Sequence, residues 1–185
     1  MLNTGIQQII SYSDIMKSKD KIVESLCELM KDNAFEEIQV KEITETAKVN
    51  RSTYYRNFNS KEDIIKYKLE NIMDEYIEEF ESQDDKSKQN YIYTILSTFL
   101  NHEDFFKTIH AQNQSYILQK VLLDYFKTNL NLEDREKLYE SYYHIGGIYN
   151  FTICWIENDM EDDIEYLSEI AAKITENINP LYEIS

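Results

Sequence analysis

The segment Val40-Lys-Glu-Ile-Thr-Glu-Thr-Ala-Lys-Val-Asn-Arg-Ser-Thr-Tyr-Tyr-Arg-Asn-Phe58 decides the fold of this chain. It contains two short stretches in which apolar residues recur at helical spacing, 40–47 and 51–57, separated by a tight turn. Ala47 is small enough to let two helices cross closely, and Val49 is placed to fill the turn. The pattern therefore predicts a helix-turn-helix. Its inward-facing residues are Val40, Ile43, Ala47, Val49, Tyr54 and Phe58.

The second of these helices is predicted to present polar and basic side chains outward, with Asn50 as its N-cap. Short polar groups suit base edges in a major groove, and arginine reads guanine with two hydrogen bonds. Tyr55 and Lys61 suit phosphates, with Lys61 at the positive end of the next helix, which Ser60 is predicted to cap. The residues predicted to contact DNA are Gln39, Lys48, Arg51, Ser52, Thr53, Tyr55, Arg56, Asn57 and Lys61.

The formal net charge is −16, and its distribution matters more than its total. Residues 1–65 carry nine Lys/Arg and eleven Asp/Glu, whereas residues 66–185 carry ten and twenty-four. No acidic residue lies between Glu45 and Glu62, a gap that contains four basic residues. Because charges are largely screened beyond about 8–10 Å at ordinary salt, this local positive patch is compatible with phosphate binding.

The rest of the chain has helical periodicity almost throughout, and only three Gly and one Pro argue against sandwiches and barrels. The predicted fold is all-α, with a three-helix N-terminal helix-turn-helix domain joined by a long helix to a C-terminal helical domain. The predicted divisions are an extension at 1–17, a DNA-binding domain at 18–65 and a regulatory and dimerisation domain at 66–185. Ser18 is predicted to cap the first helix, and a left-handed Asn33 to end it.

The motif resembles the DNA-binding domain of the TetR family of bacterial regulators over about residues 18–65. The family pattern is roughly Val-x-x-Ile-Ala-x-x-Ala-Gly-Val-Ser-x-Gly-Thr-Leu/Phe-Tyr-x-His/Tyr-Phe-x-x-Lys-Glu. It is matched at Val40, Ile43, Ala47, Val49, Thr53, Tyr55, Phe58, Lys61 and Glu62. The departures are Gln39 for a capping Thr, Lys48 for the turn Gly, Asn50 for Ser, Ser52 for Gly and Asn57 for His or Tyr. They leave the mode of DNA binding intact and the operator sequence open.

The resemblance implies that the C-terminal helices form a ligand-receiving core and a dimer interface. Helices near 133–158 and 162–178 would build a four-helix bundle with a second copy, and a glycine pair would permit close approach, a local kink being the alternative. The predicted interface residues are Gly146, Gly147, Ile164, Leu167, Ile170, Ala171 and Ile174.

Aromatic residues are abundant in this half, and they either line an inducer cavity or form an ordinary aromatic core. The residues predicted to line the cavity are Tyr91, Phe105, Phe106, His110, Tyr116, Phe126, Tyr143, His144 and Trp155.

The predicted function is a sequence-specific, homodimeric DNA-binding regulator, a repressor released by a small-molecule inducer. The inducer would swing the long helix and change the separation of the two recognition helices, about 34 Å on DNA. A ligand-independent regulator and a helical adaptor controlled by a protein partner stay open as alternatives. No metal site is predicted, since His102, His110 and His144 lack metal-ligand spacing. No cofactor and no enzyme activity are predicted either.

The two cysteines, Cys27 and Cys154, are predicted to be reduced, buried thiols in a cytoplasmic protein. No stretch approaches the roughly 20 apolar residues that a membrane helix needs, so no membrane partner is predicted.

Overall fold

The computed structural model describes the backbone of residues 2–127 and 135–176, and the side chains of 17–125 and 135–176. The regular structure in these ranges is entirely helical, which confirms the predicted all-α fold with its long connecting helix. The helices are α1 Leu2–Asp32, α2 Val40–Thr46, α3 Arg51–Asn57, α4 Lys61–Ser82, α5 Lys88–Leu100, α6 Glu103–Ala111, α7 Tyr116–Lys127, α8 Arg135–Glu157 and α9 Ile164–Ile174.

Two compact units divide the chain, Met1–Lys68 and Leu69–Ser185, and the division falls within α4. The predicted boundary after residue 65 lies three residues earlier. The predicted extension 1–17 is not separate from the first unit, because α1 is continuous from Leu2.

The predicted start of the first helix at Ser18 is wrong, whereas its predicted end at Asn33 is correct in position but not in conformation. Ser18 lies inside α1, since no Gly or Pro interrupts the sequence between Ile6 and Asp32 and the helix simply continues. Asn33 does not adopt a positive φ. The helix ends there through two bonds to one carbonyl: the Asn33 backbone N–H and side-chain amide donate to Leu29 O at 3.0 and 2.9 Å.

The core of the first unit is made where α1, α2 and α3 pack on one another. Ile22, Leu26, Ile43, Tyr54 and Phe58 are all buried there. The predicted cap of α4 is observed, since the Asp63 N–H donates to Ser60 Oγ at 3.1 Å. The Asp63 carboxylate in turn accepts from the backbone N–H of Asn59 at 3.0 Å. This reciprocal pair fixes the start of α4 directly behind α3.

In the second unit, α5 packs chiefly on α9, and α7 packs on α8. Much of its interior is aromatic: the Tyr91 ring meets Tyr76 and Phe80 edge-on at 6.0 and 5.7 Å between centroids. The ring centroids of Phe99 and Phe106 lie 4.6 Å apart. Aromatic packing is therefore a main source of stability in this unit.

The cysteine prediction is wrong for Cys154, which is exposed on α8, and Cys27 is only half-buried. Desolvation nevertheless raises the pKa of the Cys27 thiol to about 11, so this thiol stays protonated at neutral pH. Within the described ranges no helix has the length and apolar character to cross a bilayer. Across the same ranges no three His, Cys, Asp or Glu side chains are grouped to hold a metal ion.

Candidate nucleic-acid interface

The two helices of the motif meet at a turn that is closed by backbone hydrogen bonds. The Val49 N–H donates to Thr44 O at 3.0 Å, and the Lys48 N–H donates to Glu45 O at 3.3 Å. Ala47 is buried at this crossing, and Val49 is half-buried. These local bonds fix the angle at which α3 leaves α2, as expected from a short turn with a small residue at its entry.

The helix starts are capped differently from the prediction. Gln39 occupies the N-cap position of α2, and its backbone N–H donates to the Glu42 carboxylate at 2.8 Å. This carboxylate compensates for the Thr that Gln39 replaces. Asn50 occupies the N-cap position of α3, but its side chain makes no capping bond. Its carbonyl instead accepts from Thr53 and Tyr54, so the first turn of α3 is held by the backbone.

One face of α3 is open to solvent and carries four of the nine residues predicted to contact DNA. Arg51, Ser52 and Arg56 are exposed, and Tyr55 is 62% exposed, with its ring edge-on to buried Tyr54 at 5.3 Å between centroids. Buried Tyr54 therefore holds α3 against the core of the first unit, while Tyr55 projects into solvent.

Two predicted contacts are less accessible. Thr53 and Asn57 are half-buried, and the Asn57 amide donates to Thr53 O at 2.7 Å. Lys48 and Gln39 are exposed beside the helix. No ion pair involves Lys48, Arg51 or Arg56 within the part of the chain whose side chains are described. Their charges are thus available to an anionic partner.

Lys61, predicted to contact a phosphate, makes contacts within the protein. Its ammonium group donates to three backbone carbonyls of the turn between α1 and α2: Phe35 O, Glu36 O at 3.2 Å and Ile38 O at 2.8 Å. The same nitrogen lies 4.6 Å from the centroid of the Phe35 ring. Because all three N–H donors are used within the protein, we assign Lys61 a positioning role, holding the turn before α2 against the start of α4.

We expect Lys61→Met to destabilise the protein by about 2 kcal/mol, because it keeps the apolar stem but leaves carbonyls without a charged donor. Chemical denaturation measures this loss. Lys61→Arg, which keeps donors, should recover part of it. At temperatures where both variants are folded, the salt dependence of DNA affinity should match the wild type. A changed salt dependence with unchanged stability would instead support the phosphate role.

Lys48, at the position of the family's turn glycine, has φ of 54°, in the left-handed region. For a residue with a Cβ this conformation costs about 1–2 kcal/mol. We expect Lys48→Gly to raise stability by about 0.5–1 kcal/mol, the unfolded-state entropy of glycine offsetting part of the gain. The same change should weaken DNA binding, since a positive charge beside α3 is lost.

Lys48→Ala is the matched control, because it removes the charge but keeps the Cβ. It should weaken DNA binding as much as Lys48→Gly without stabilising the protein. The two effects are separated by comparing melting temperatures with affinities from fluorescence anisotropy. Equal stability of the two variants would contradict the strain at residue 48.

The residues predicted to line an inducer cavity are only partly brought together. A cavity of about 120 Å³ lies between α5, α8 and α9. Tyr91, Tyr143 and His144 line it, whereas Phe105, Phe106, His110, Tyr116 and Trp155 do not. The side chain of Phe126 lies outside the described residues. The complete lining is Tyr91, Ile92, Ile95, Leu96, Tyr143, His144, Gly147, Ile148, Phe151, Thr152, Ala171, Ile174 and Thr175.

The residues that were predicted to line the cavity but do not line it have other roles, which aromatic character alone could not reveal. Phe105, Phe106 and Trp155 are buried core residues, and the rings of Phe105 and Phe106 meet edge-on at 5.8 Å between centroids. The His110 Nδ1 lies 3.2 Å from Ser115 Oγ, near the start of α7. Tyr116 is 40% exposed, with the Lys120 ammonium 4.6 Å from its ring centroid. The aliphatic side chains of α5 that line the cavity, Ile92, Ile95 and Leu96, were not predicted. Their spacing is that of any buried helix, so it does not indicate a cavity.

The predicted dimer residues on α8 and α9 differ in how far they are exposed. Leu167 is buried within its own unit, so it belongs to the core, which limits what it could contribute to an interface. Ile164, Ile170 and Ala171 are half-buried, and Ile174 is 68% exposed. A Cβ added to Gly146 or Gly147 would meet no described atom within 4 Å, so both glycines border open space.

The chain is similar in sequence to known bacterial regulators. Residues 18–67 match the family model of bacterial regulatory proteins, tetR family. Over 138 residues the chain is 26% identical to the HTH-type dhaKLM operon transcriptional activator DhaS of Lactococcus lactis subsp. lactis (strain IL1403), covering 69% of this chain and 73% of the relative. Over 164 residues it is 27% identical to the uncharacterized HTH-type transcriptional regulator YxbF of Bacillus subtilis (strain 168), covering 80% of this chain and 42% of YxbF.

A solved structure has the same fold over nearly the whole of the chain. The TetR transcriptional regulator from Streptococcus agalactiae 2603V superposes with a TM-score of 0.59 at 19% identity, covering 90% of this chain and 98% of that one. The likeness extends beyond the DNA-binding domain into the C-terminal helices.

Proposed function

This chain belongs to the TetR family of bacterial regulatory proteins and is a DNA-binding transcriptional regulator, and from that premise we propose that it is a homodimeric, sequence-specific repressor released by a small molecule. The exposed face of α3 carries the proposal. Arg51, Tyr55 and Arg56 lie there beside Ser52, on a helix anchored by buried Tyr54. Basic side chains would hold phosphates or read guanine, and short hydroxyls would face base edges.

Dimerisation through α8 and α9 is supported by large apolar side chains that these helices leave in solvent. Tyr143 is 73% exposed, Tyr166 59% and Ile174 68%. Contiguous exposed apolar surface usually marks an interaction site in a soluble protein. A two-fold dimer would set two copies of α3 about 34 Å apart, one turn of DNA. We also expect the dimer to reside in the cytoplasm, where its DNA is.

The test is fluorescence anisotropy with the DNA upstream of the gene that encodes the chain, labelled at one end. We expect saturable binding that is tighter than to unrelated DNA of equal length and that falls steeply with added salt. Tyr55→Phe should keep most packing but lose a phosphate contact, whereas changes at Ser52 or Thr53 should alter the preferred sequence. The absence of binding at low salt would overturn the regulator and favour a helical adaptor.

Activation is a second candidate, favoured by one observation. DhaS, which is 26% identical over 138 residues, is named an activator. The two directions are distinguished by transcription in vitro from the bound promoter, with purified polymerase and with or without the protein. Reduced transcript supports repression, and increased transcript supports activation.

A further inference from the structure

The cavity between α5, α8 and α9 has a buried floor and an open rim. Ile95, Leu96 and Thr152 of the floor are at most 3% exposed. Tyr143 and Ile174 at the rim are largely exposed. These two side chains also belong to the surface proposed for the dimer, so a partner subunit would cover the rim and complete the enclosure.

The lining is unusual for a chain in which 29% of residues are charged. None of the described residues around this cavity carries a carboxylate, an ammonium or a guanidinium group. A second depression, between α4 and α5, contains Glu75, Glu79 and several hydroxyls, so an uncharged lining is not general in this unit. The lining side chains that carry a polar atom are those of Tyr91, Tyr143, His144, Thr152 and Thr175.

We infer that this cavity binds an uncharged, mainly apolar molecule about the size of one six-membered ring, and that this molecule is the effector. The inference rests on the proposed ligand response. Two arguments fix the class. An ion moved into this lining would lose its hydration without gaining a counter-charge, which is strongly unfavourable. In size, the cavity of about 120 Å³ is close to the apolar cavities of about 150 Å³ that hold benzene.

Toluene, benzoate and benzylammonium test this assignment, because they share one ring and differ in charge. Titration calorimetry on the full chain should give a Kd for toluene at least about tenfold lower than for either ion. Equal affinities, or no toluene binding, would overturn the inference.

A larger side chain at two places separates the cavity from the surface of α8. Ile95→Phe enlarges a side chain of the buried floor, and should weaken toluene binding at least about tenfold by occupying the cavity. Cys154→Leu enlarges a side chain at an exposed position outside the lining, and should leave toluene binding unchanged. Leu96→Phe fills the cavity from the same floor and serves if Ile95→Phe does not fold. Equal loss in the filling variants and Cys154→Leu would overturn the site.

The effector role is read from DNA binding in the same samples. Toluene should lower the DNA affinity of the wild type and of Cys154→Leu but not of Ile95→Phe. If wild-type protein binds its upstream DNA and toluene does not bind, the inference fails while the regulator stands. If toluene binds with the expected charge preference and DNA does not bind, the proposed function fails while the cavity assignment stands. Toluene binding that leaves DNA affinity unchanged overturns the effector role.

Discussion

Replacing Arg51 and Arg56 together by glutamine is expected to lower the affinity for operator DNA at least about 100-fold at moderate salt. Both guanidinium groups are exposed on α3 and form no ion pair with a described side chain, so neither is needed to hold the fold. Loss of a bidentate arginine contact costs about 1–3 kcal/mol, and the two losses combine. Anisotropy titrations at several salt concentrations measure the effect. The salt slope should fall by about one for each arginine that contacts a phosphate.

A control with the same change in net charge separates local contact from the overall field of an acidic protein. Lys120→Gln with Lys137→Gln removes two positive charges from exposed positions on α7 and α8. We expect this double variant to bind DNA within a few-fold of the wild type, because neither lysine belongs to the helix-turn-helix. If both double variants lose affinity equally, the exposed face of α3 is not the site of contact.

The helix-turn-helix was predictable because the information that forms it is local. Ala47 and Val49 lie within two residues of the turn, and the apolar spacing on either side defines which face is inward. Lys48 stands where the family pattern has a turn Gly, and its left-handed conformation agrees with that resemblance rather than with any feature of the lysine itself. Ser60 as a cap was likewise readable from the residues that follow it.

The contacts of Lys61 show what local reasoning cannot include. A lysine at the start of a helix, beside a recognition motif, suggests a phosphate contact. Its partners are carbonyls 23 to 26 residues earlier in the chain, and only the packing of α1 against α2 and α3 brings them within reach. Carbonyl groups have no sequence signature, so a side chain that serves them cannot be identified from residue types.

The cavity fails to follow from sequence for a related reason. Aromatic residues suggested a ligand site, but large aromatic side chains fill space, and Phe106 is completely buried beside Phe99. Cavities arise where side chains are too small to fill the gap between helices. Here Gly147 and Ala171 stand on the two helices that border the opening. Such small residues mean little until the helices that carry them are known to be adjacent.

Tyr54→Ala is expected to destabilise the protein by about 3–5 kcal/mol, the usual cost of removing a large buried ring. Tyr54 is 1% exposed, and its ring contacts Tyr55 and Phe58 at 5.3 and 6.2 Å between centroids. The lost ring would leave a cavity under the exposed face of α3 in a unit of only 68 residues. Urea denaturation followed by circular dichroism measures the loss. We expect DNA binding to disappear with it, because Tyr55 and its neighbours would lose their support.

Tyr54→Phe is the control, since it keeps the ring and removes the ionisable hydroxyl. At pH 7 it should bind DNA and unfold much as the wild type does.

Burial raises the pKa of Tyr54 to about 12, above its ordinary value of 10.0. The folded state therefore holds this proton more tightly than the unfolded state. The resulting stability is complete below pH 10 and is lost as the pH rises towards 12. Tyr54→Phe should consequently lose less stability than the wild type between pH 10 and 12. Identical alkaline profiles would contradict the burial of the hydroxyl, and a Tyr54→Phe variant as unstable as Tyr54→Ala would show that the hydroxyl, not the ring, supports α3.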